Sequence, residues 1–376
     1  MKNIKLGLKM GLGFGLLILI ACVLGAMAVW NMSTAEKGAE RMAAAYIPEV
    51  GAANELERNA QQVMYAVRGY GFTEENSYLE QGREGLAQLR SSLDEAANLA
   101  EAQSLPALEE NSRTARDRVN EYEDLVDQTE AAIKRKNTDR ENMDAAAAQF
   151  MESAATFLTS QNEAMKSEID QESTIDALNE RLEKITEINN VIDLGNSVRI
   201  SAWRAQAERN PQAIEQGLEV FPKIQQILDT IESLTRMDVD LRQISAIREA
   251  SDNYAGAMES LLSNWRDLDQ LGNERTRVGE GVVDAAEQAA QAGMDQTQAI
   301  ANSSVEDLGQ ASNIMVIGLV IALFLGILIA VILTKAITRP VAKGVAFSGE
   351  MAEGDLTSSL DIDQKDEIGV LAGAMQ

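Results

Sequence analysis

The sequence has no histidine, one cysteine, five prolines and only 4% aromatic residues. Without histidine, the chain lacks the commonest acid–base group and the commonest metal ligand, and no nucleophile motif replaces them. We therefore expect no enzyme, no metal site and no cofactor. The lone cysteine, Cys22, excludes an internal disulfide. Because the middle of the chain is rich in Ala, Glu, Gln, Leu and Arg and poor in strand-forming runs, we predict an all-α protein.

Basic residues are also scarce, with 33 Lys and Arg against 59 Asp and Glu, which gives a formal net charge of −26. The acidic residues are spread along the central region and not gathered in a tail. A surface of this charge repels a phosphate backbone, so we expect no nucleic-acid partner.

Two apolar runs, residues 10–30 and 314–334, contain no charged residue. Each is long enough to cross a bilayer, so we predict two transmembrane helices. The flanking basic residues place both chain ends in the cytoplasm and residues 31–313 outside it by the positive-inside rule. They are Lys2, Lys5 and Lys9 before the first run and Lys335, Arg339 and Lys343 after the second.

The first run has two alternative interpretations. Ala26-Met27-Ala28 resembles a signal-peptidase site, and Leu19-Ile20-Ala21-Cys22 resembles a loose lipoprotein box. The apolar run continues past both sites and is long for a signal peptide, which favours a retained membrane helix.

Residues 31–313 keep a helical periodicity with few interruptions. Breaks are predicted at 69–73, 104–106, 170–174, 210–211 and 237–240, which divides the segment into six helices. The third and sixth helices are about twice as long as the others. The economical arrangement is two stacked four-helix bundles that share this long pair. The alternative is one continuous coiled-coil stalk, which the paired Pro and Gly breaks disfavour.

An internal duplication is indicated within this segment. Glu80-Gln81-Gly82 recurs as Glu215-Gln216-Gly217, at an offset of 217 − 82 = 135 residues. With small shifts, Thr138-Asp139-Arg140 aligns with Asn273-Glu274-Arg275, and Tyr122 aligns with Tyr254. The pattern is typical of a repeated three-helix unit.

The residues after the second apolar run follow an ordered pattern. A Pro opens an amphipathic stretch, a Gly starts a connector, a Leu follows it, and an Asp-Glu-Ile-Gly sequence comes last. The order resembles a HAMP linker, in which two short helices from each subunit form a parallel bundle. The resemblance assigns signal-relay roles to Pro340, Gly354, Leu356 and Glu367.

Taken whole, the chain resembles the N-terminal part of a methyl-accepting chemotaxis protein with a helical bimodular sensor domain. The predicted organisation is a cytoplasmic N-terminus (1–9), a first membrane helix (10–30), a periplasmic ligand-binding domain (31–313), a second membrane helix (314–334) and a HAMP linker (335–376). The resemblance implies a homodimeric two-pass receptor in the bacterial inner membrane. It also implies a further cytoplasmic region that engages a coupling protein and a histidine kinase, and we expect that region beyond Gln376.

In that family the ligands are often organic acids, and arginine matches a carboxylate well. The candidates in the proximal bundle are Arg58, Arg68, Arg275, Thr276 and Arg277, and those in the distal bundle are Arg199, Trp203, Arg204 and Tyr254. For each arginine the competing interpretation is a solvated ion pair, and for Trp203 it is a core or interface anchor.

Two other functions stay open. HAMP linkers also precede histidine kinases and cyclic-nucleotide enzymes, so the same sensor can drive another output. A structural protein whose helical stalk binds a partner protein is the second alternative.

The predicted topology can be tested with cysteine labelling in a Cys22→Ser background. A membrane-impermeant maleimide should label Ser91→Cys in intact cells, because that residue is predicted to lie outside. Ser359→Cys should react only after the membrane is permeabilised. Labelling of Ser91→Cys only after permeabilisation would contradict the two-span topology.

Overall fold

The computed structural model describes residues 4–355, 357 and 359–376. All regular structure in these residues is helical, as predicted. The elements are α1 (Leu6–Arg41), a π-helical segment (Met42–Tyr46), α2 (Ile47–Thr73), α3 (Asn76–Gln103), α4 (Pro106–Asp170), α5 (Ile175–Glu208), α6 (Gln212–Leu218), α7 (Phe221–Ser233), α8 (Asp238–Ala352) and α9 (Glu367–Met375).

The helix boundaries follow local chemistry. Pro106 opens α4, where its missing N–H is not needed, and Ser104 ends α3 in the left-handed region with φ 52°. Thr174 caps α5 by accepting a hydrogen bond from the Ala177 N–H at 3.3 Å. These positions confirm the predicted breaks at 104–106 and 170–174.

Two interruptions were not predicted. The fifth helix of the outer segment was expected to be continuous, but it is divided into α6 and α7 around Glu219 and Val220. Pro222 lies in the first turn of α7, and its ring disrupts a helix that would otherwise continue from α6. The π-helical segment between α1 and α2 also has no obvious sequence signal.

The described residues divide into two compact units, residues 52–290 and residues 1–51 with 291–376. In the 52–290 unit, one apolar core is contributed by α4, α5, α6, α7 and α8. At its centre the Phe221 ring packs edge-on against the Tyr254 ring, with 5.4 Å between the centroids, and Phe150 lies on another side of Tyr254 at 6.4 Å. We call this the distal core.

The remaining part of the same unit has a core shared by α2, α3, α4 and α8, which we call the proximal core. Asn59 on α2 donates to the Ser92 hydroxyl on α3 at 2.9 Å. Arg83 on α3 forms ion pairs with Asp127 and Glu130 on α4. These contacts show which helices meet, while the stacking of two complete four-helix bundles stays a prediction.

The duplicated Glu-Gln-Gly sequences occupy similar environments. A Cβ at Gly82 would lie 2.8 Å from the Val67 side chain, and a Cβ at Gly217 would lie 2.9 Å from Met258. Both glycines therefore permit close helix packing, which explains why the two repeats share this residue.

In the unit formed by 1–51 and 291–376, the apolar parts of α1 and α8 run antiparallel. Gly13 approaches Ile329, and Gly318 approaches Leu24 at the other end of the contact. The continuous helical stretch through α1 and α2 and the helix α8 are long and apolar enough to cross a membrane, and their apolar windows are not buried in protein. The boundaries at 10–30 and 314–334 stay predictions.

The segment after the second apolar run differs from expectation at Pro340. We expected a helix to begin at this residue, but α8 continues through it to Ala352. Gly354 has φ 93° and turns the chain after α8. Leu356 lies outside the described residues. Leu360 is buried with Phe347 of α8 and Ala372 of α9, and Ile362 packs against the same cluster, as expected for the connector.

Helix α9 begins at Glu367 and is capped by Asp366, whose side chain accepts from the backbone N–H groups of Ile368 and Gly369. The same carboxylate forms a buried ion pair with Lys9 of α1. Burial raises the pKa of Asp366, but the hydrogen bonds from Lys9 and from the α9 backbone outweigh it, so the pKa is lowered. The Glu367 carboxylate also accepts from the Leu6 N–H at 2.7 Å.

Removal of the Phe157 ring should test the distal core. Phe157 is fully buried, so Phe157→Ala should lower the free energy of unfolding by about 3–5 kcal/mol through lost burial and a residual cavity. Leu182→Ala is the control, because Leu182 is 52% exposed. Denaturation of the purified chain in detergent, followed by circular dichroism, measures both. Equal effects would contradict the assigned core.

Candidate ligand-binding site

A cavity of about 600 Å³ lies in the 52–290 unit, where α2 ends and α4, α5 and α8 pass. This volume is in the range of small-molecule sites. Five basic and two acidic side chains line it, so the lining is positive although the whole chain carries a net charge of −26. The basic residues are Arg68, Lys136, Arg140, Arg209 and Arg275, and the acidic ones are Glu74 and Asp269.

Arg275 is the buried cation of this cavity, with only 8% of its surface exposed. Its guanidinium donates to the Thr129 hydroxyl on α4, and that hydroxyl donates in turn to the Leu125 carbonyl at 2.6 Å. Gly71 leaves the necessary space, since a Cβ there would lie 3.0 Å from a guanidinium nitrogen. Among the described residues, no carboxylate is within ion-pair distance of Arg275.

The electrostatics of this region reflect the missing counter-charge. Burial lowers the pKa of Arg275, the nearby Tyr122 raises it, and Arg68 lowers it further, so the net shift is downward. Burial raises the pKa of Tyr122 to about 12, which keeps the phenol neutral. A buried guanidinium beside a second arginine is unfavourable without an anion. An anionic ligand in the cavity would relieve this cost.

The remaining basic residues differ in their availability. Lys136 is engaged by the Glu74 carboxylate, and Arg209 donates to the Phe72 carbonyl and stacks 4.0 Å above the Phe72 ring. In the described part of the chain, Arg68 and Arg140 have no carboxylate within ion-pair distance. The two arginines are therefore free to contact a ligand together with Arg275.

The structure brings together three of the five predicted proximal residues. Arg68, Arg275 and Thr276 line the cavity. Arg58 does not, because its side chain is exposed and lies 3.9 Å from Glu55. Arg277 is exposed as well and contacts Glu121 and Glu274, so both excluded arginines have the surface ion-pair arrangement weighed as the alternative.

The four predicted distal residues do not form a cavity of this kind in the residues described. Tyr254 is buried in the distal core, where burial raises its pKa to about 12 and Arg199 opposes that shift. Arg204 pairs with Glu208 at 3.3 Å on the surface of α5. Trp203 is 71% exposed, so it is not a core anchor in this chain.

Sequence analysis missed Arg140, Lys136, Arg209 and Trp265, which also line the cavity. One of them had a signal: the repeat alignment pairs Arg140 with Arg275, so a role for one suggested a role for the other. Arg209 had none, because its position depends on where α5 ends relative to α2.

Comparisons with known proteins agree with a sensor architecture. The sequence model of the family described as "Helical bimodular sensor domain" matches residues 29–171. A search of curated protein sequences gave no significant match. Among solved structures, the chain is similar to the TorS sensor domain, determined as a complex with TorT in the presence of TMAO. That similarity has a TM-score of 0.40 and 12% identity and covers 65% of this chain and 99% of the other.

The family match supports a helical sensor domain of the extracytoplasmic kind found in membrane receptors. Together with two apolar helices that can cross a membrane, it supports a transmembrane sensor of ligands outside the cell.

The unpaired Arg275 generates a stability prediction. Arg275→Met should raise the free energy of unfolding of the ligand-free chain by about 1–3 kcal/mol, because it removes a buried cation that has no counter-charge. Arg277→Met is a matched control two residues along α8, and its effect should stay within about 0.5 kcal/mol. Thermal melting of both variants in detergent provides the comparison. A strongly destabilised Arg275→Met would mean that the arginine supports the fold.

Proposed function

We propose that this chain is the sensory part of a two-pass chemoreceptor of the bacterial inner membrane that binds a small periplasmic carboxylate. The observation that carries the ligand class is the buried Arg275 guanidinium, which faces a 600 Å³ cavity without a carboxylate partner. Arginine presents several N–H donors in a plane that matches a carboxylate, and a low-dielectric site strengthens the interaction.

The mechanism follows from the helix that bears this residue. Arg275 and residues 314–334 both belong to α8, so a ligand that favours one position of α8 biases the position of the second membrane helix. Only a ligand with different affinities for two arrangements can transmit a signal, and a coupling of about 1–3 kcal/mol is sufficient.

On the cytoplasmic side, residues 335–376 would act as a HAMP linker within a homodimer. Support comes from the turn at Gly354, the packing of Leu360 and Ile362 between α8 and α9, and the capped start of α9 at Glu367. We infer that Pro340 keeps its relay role as a local weak point inside α8, since proline removes a backbone hydrogen bond there.

The output favoured by sequence resemblance is a chemotaxis signalling region that acts through a coupling protein and a histidine kinase. A histidine kinase or a cyclic-nucleotide enzyme attached to the same sensor is the alternative. The physical mechanism in residues 4–376 is the same for each of these outputs.

A thermal-shift screen tests the proposed ligand class. The full chain in detergent should melt at a higher temperature with a small carboxylate, because a ligand bound only to the folded state stabilises it by about 2.7 kcal/mol at a hundredfold excess over its Kd. The screen should compare carboxylates with amines and neutral sugars of equal size.

Two variants give the screen its specificity. Arg275→Gln should lose the shift, whereas Arg58→Gln should keep it, because Arg58 is exposed and lies outside the cavity. A shift produced by amines or sugars but by no carboxylate would overturn the proposal. Binding of a partner protein without any small-molecule response would favour the stalk alternative.

A further inference from the structure

The cavity has unpaired cations at two separate levels. On α4, Thr129 marks the level of Arg275, and Arg140 lies eleven residues further along the same helix. At 1.5 Å per residue, these levels are roughly 16 Å apart along the helix axis. One anionic group can occupy only one of the two levels.

Helix α8 shows the same separation from the opposite direction. Lys136 of α4 lies 5.8 Å from the centre of the Trp265 ring, and Arg135 donates to Asn264 at 3.4 Å. Trp265 is ten residues before Arg275, a distance of about 15 Å along α8. The helices thus run antiparallel past an elongated cavity, with Arg275 near one end and Arg140 near the other.

The wall between these levels is largely apolar. Met64, Leu268 and Trp265 line the cavity together with the backbone at Gly272. Asp269 also lies in this region, and in the described residues it forms no ion pair. A second free carboxylate in the middle of a ligand would be repelled there, whereas an apolar spacer would be accepted.

On the basis of the proposed function, we infer that the ligand carries two anionic groups joined by an elongated apolar spacer. One group binds at Arg275 and Arg68, and the other binds at Arg140. Because Arg68 belongs to the helices of the proximal core and Arg140 lies next to those of the distal core, one bound molecule bridges the two cores. A monocarboxylate would satisfy only one end of the site.

Isothermal titration of the full chain in lipid nanodiscs tests this inference. The probes are α,ω-dicarboxylates from succinate to azelate and terephthalate, each paired with the monocarboxylate that lacks one carboxyl group. A diacid of suitable length should bind about tenfold to a hundredfold more tightly than its paired monoacid, since a charge-assisted interaction is added.

Variants assign each end of the ligand. Arg140→Gln should remove the advantage of the diacid and leave the monoacid unchanged, while Arg275→Gln should weaken both. Arg135→Gln is the matched control, because this arginine lies on the same helix but does not line the cavity. Arg140→Glu should reverse the preference, so that the ω-amino acid of equal length binds more tightly than the diacid.

The outcomes separate the two proposals. Equal binding of diacids and monoacids, or an unchanged diacid affinity in Arg140→Gln, would overturn the two-ended ligand and leave the carboxylate sensor in place. Binding of no carboxylate at all would overturn both. Arg140 is exposed, so circular dichroism should show an unchanged fold in its variants.

Discussion

The site depends on one unfavourable arrangement, a guanidinium group enclosed by protein with a threonine hydroxyl and no carboxylate beside it. A folded chain keeps such a group at a cost in stability. The surrounding helices make this possible because the proximal and distal cores are tightly packed on either side of the cavity. The stability supplied by these cores permits a cationic site that is adapted to binding and not to the stability of the empty protein.

Much of the fold could be predicted from composition and periodicity. Sparse aromatics and prolines, together with the helix-forming middle of the chain, predicted an all-helical protein, and the Ser104–Pro106 and Asn210–Pro211 sequences predicted helix ends where they occur. The exceptions are local. Pro222 ends a helix but Pro340 does not, because the backbone around each proline determines whether a helix can tolerate its ring.

The candidate site was less accessible to sequence reasoning. Helical spacing identifies which residues share a face, and it led to Arg68, Arg275 and Thr276. It could not separate them from Arg58 and Arg277, which are similar in type and near in sequence but meet glutamates on the surface. Burial and counter-charge distinguish the two groups, and both are properties of helix packing.

The contact between Lys9 and Asp366 has a consequence for engineered receptors. Hybrid sensors are often made by joining the outer part of one chain to the inner part of another. A junction placed shortly after residue 334 would keep the Lys9 ammonium and discard the carboxylate that neutralises it and caps α9. The transplanted segment would then face an enclosed positive charge, so a functional hybrid would have to exchange the first residues of α1 together with α9.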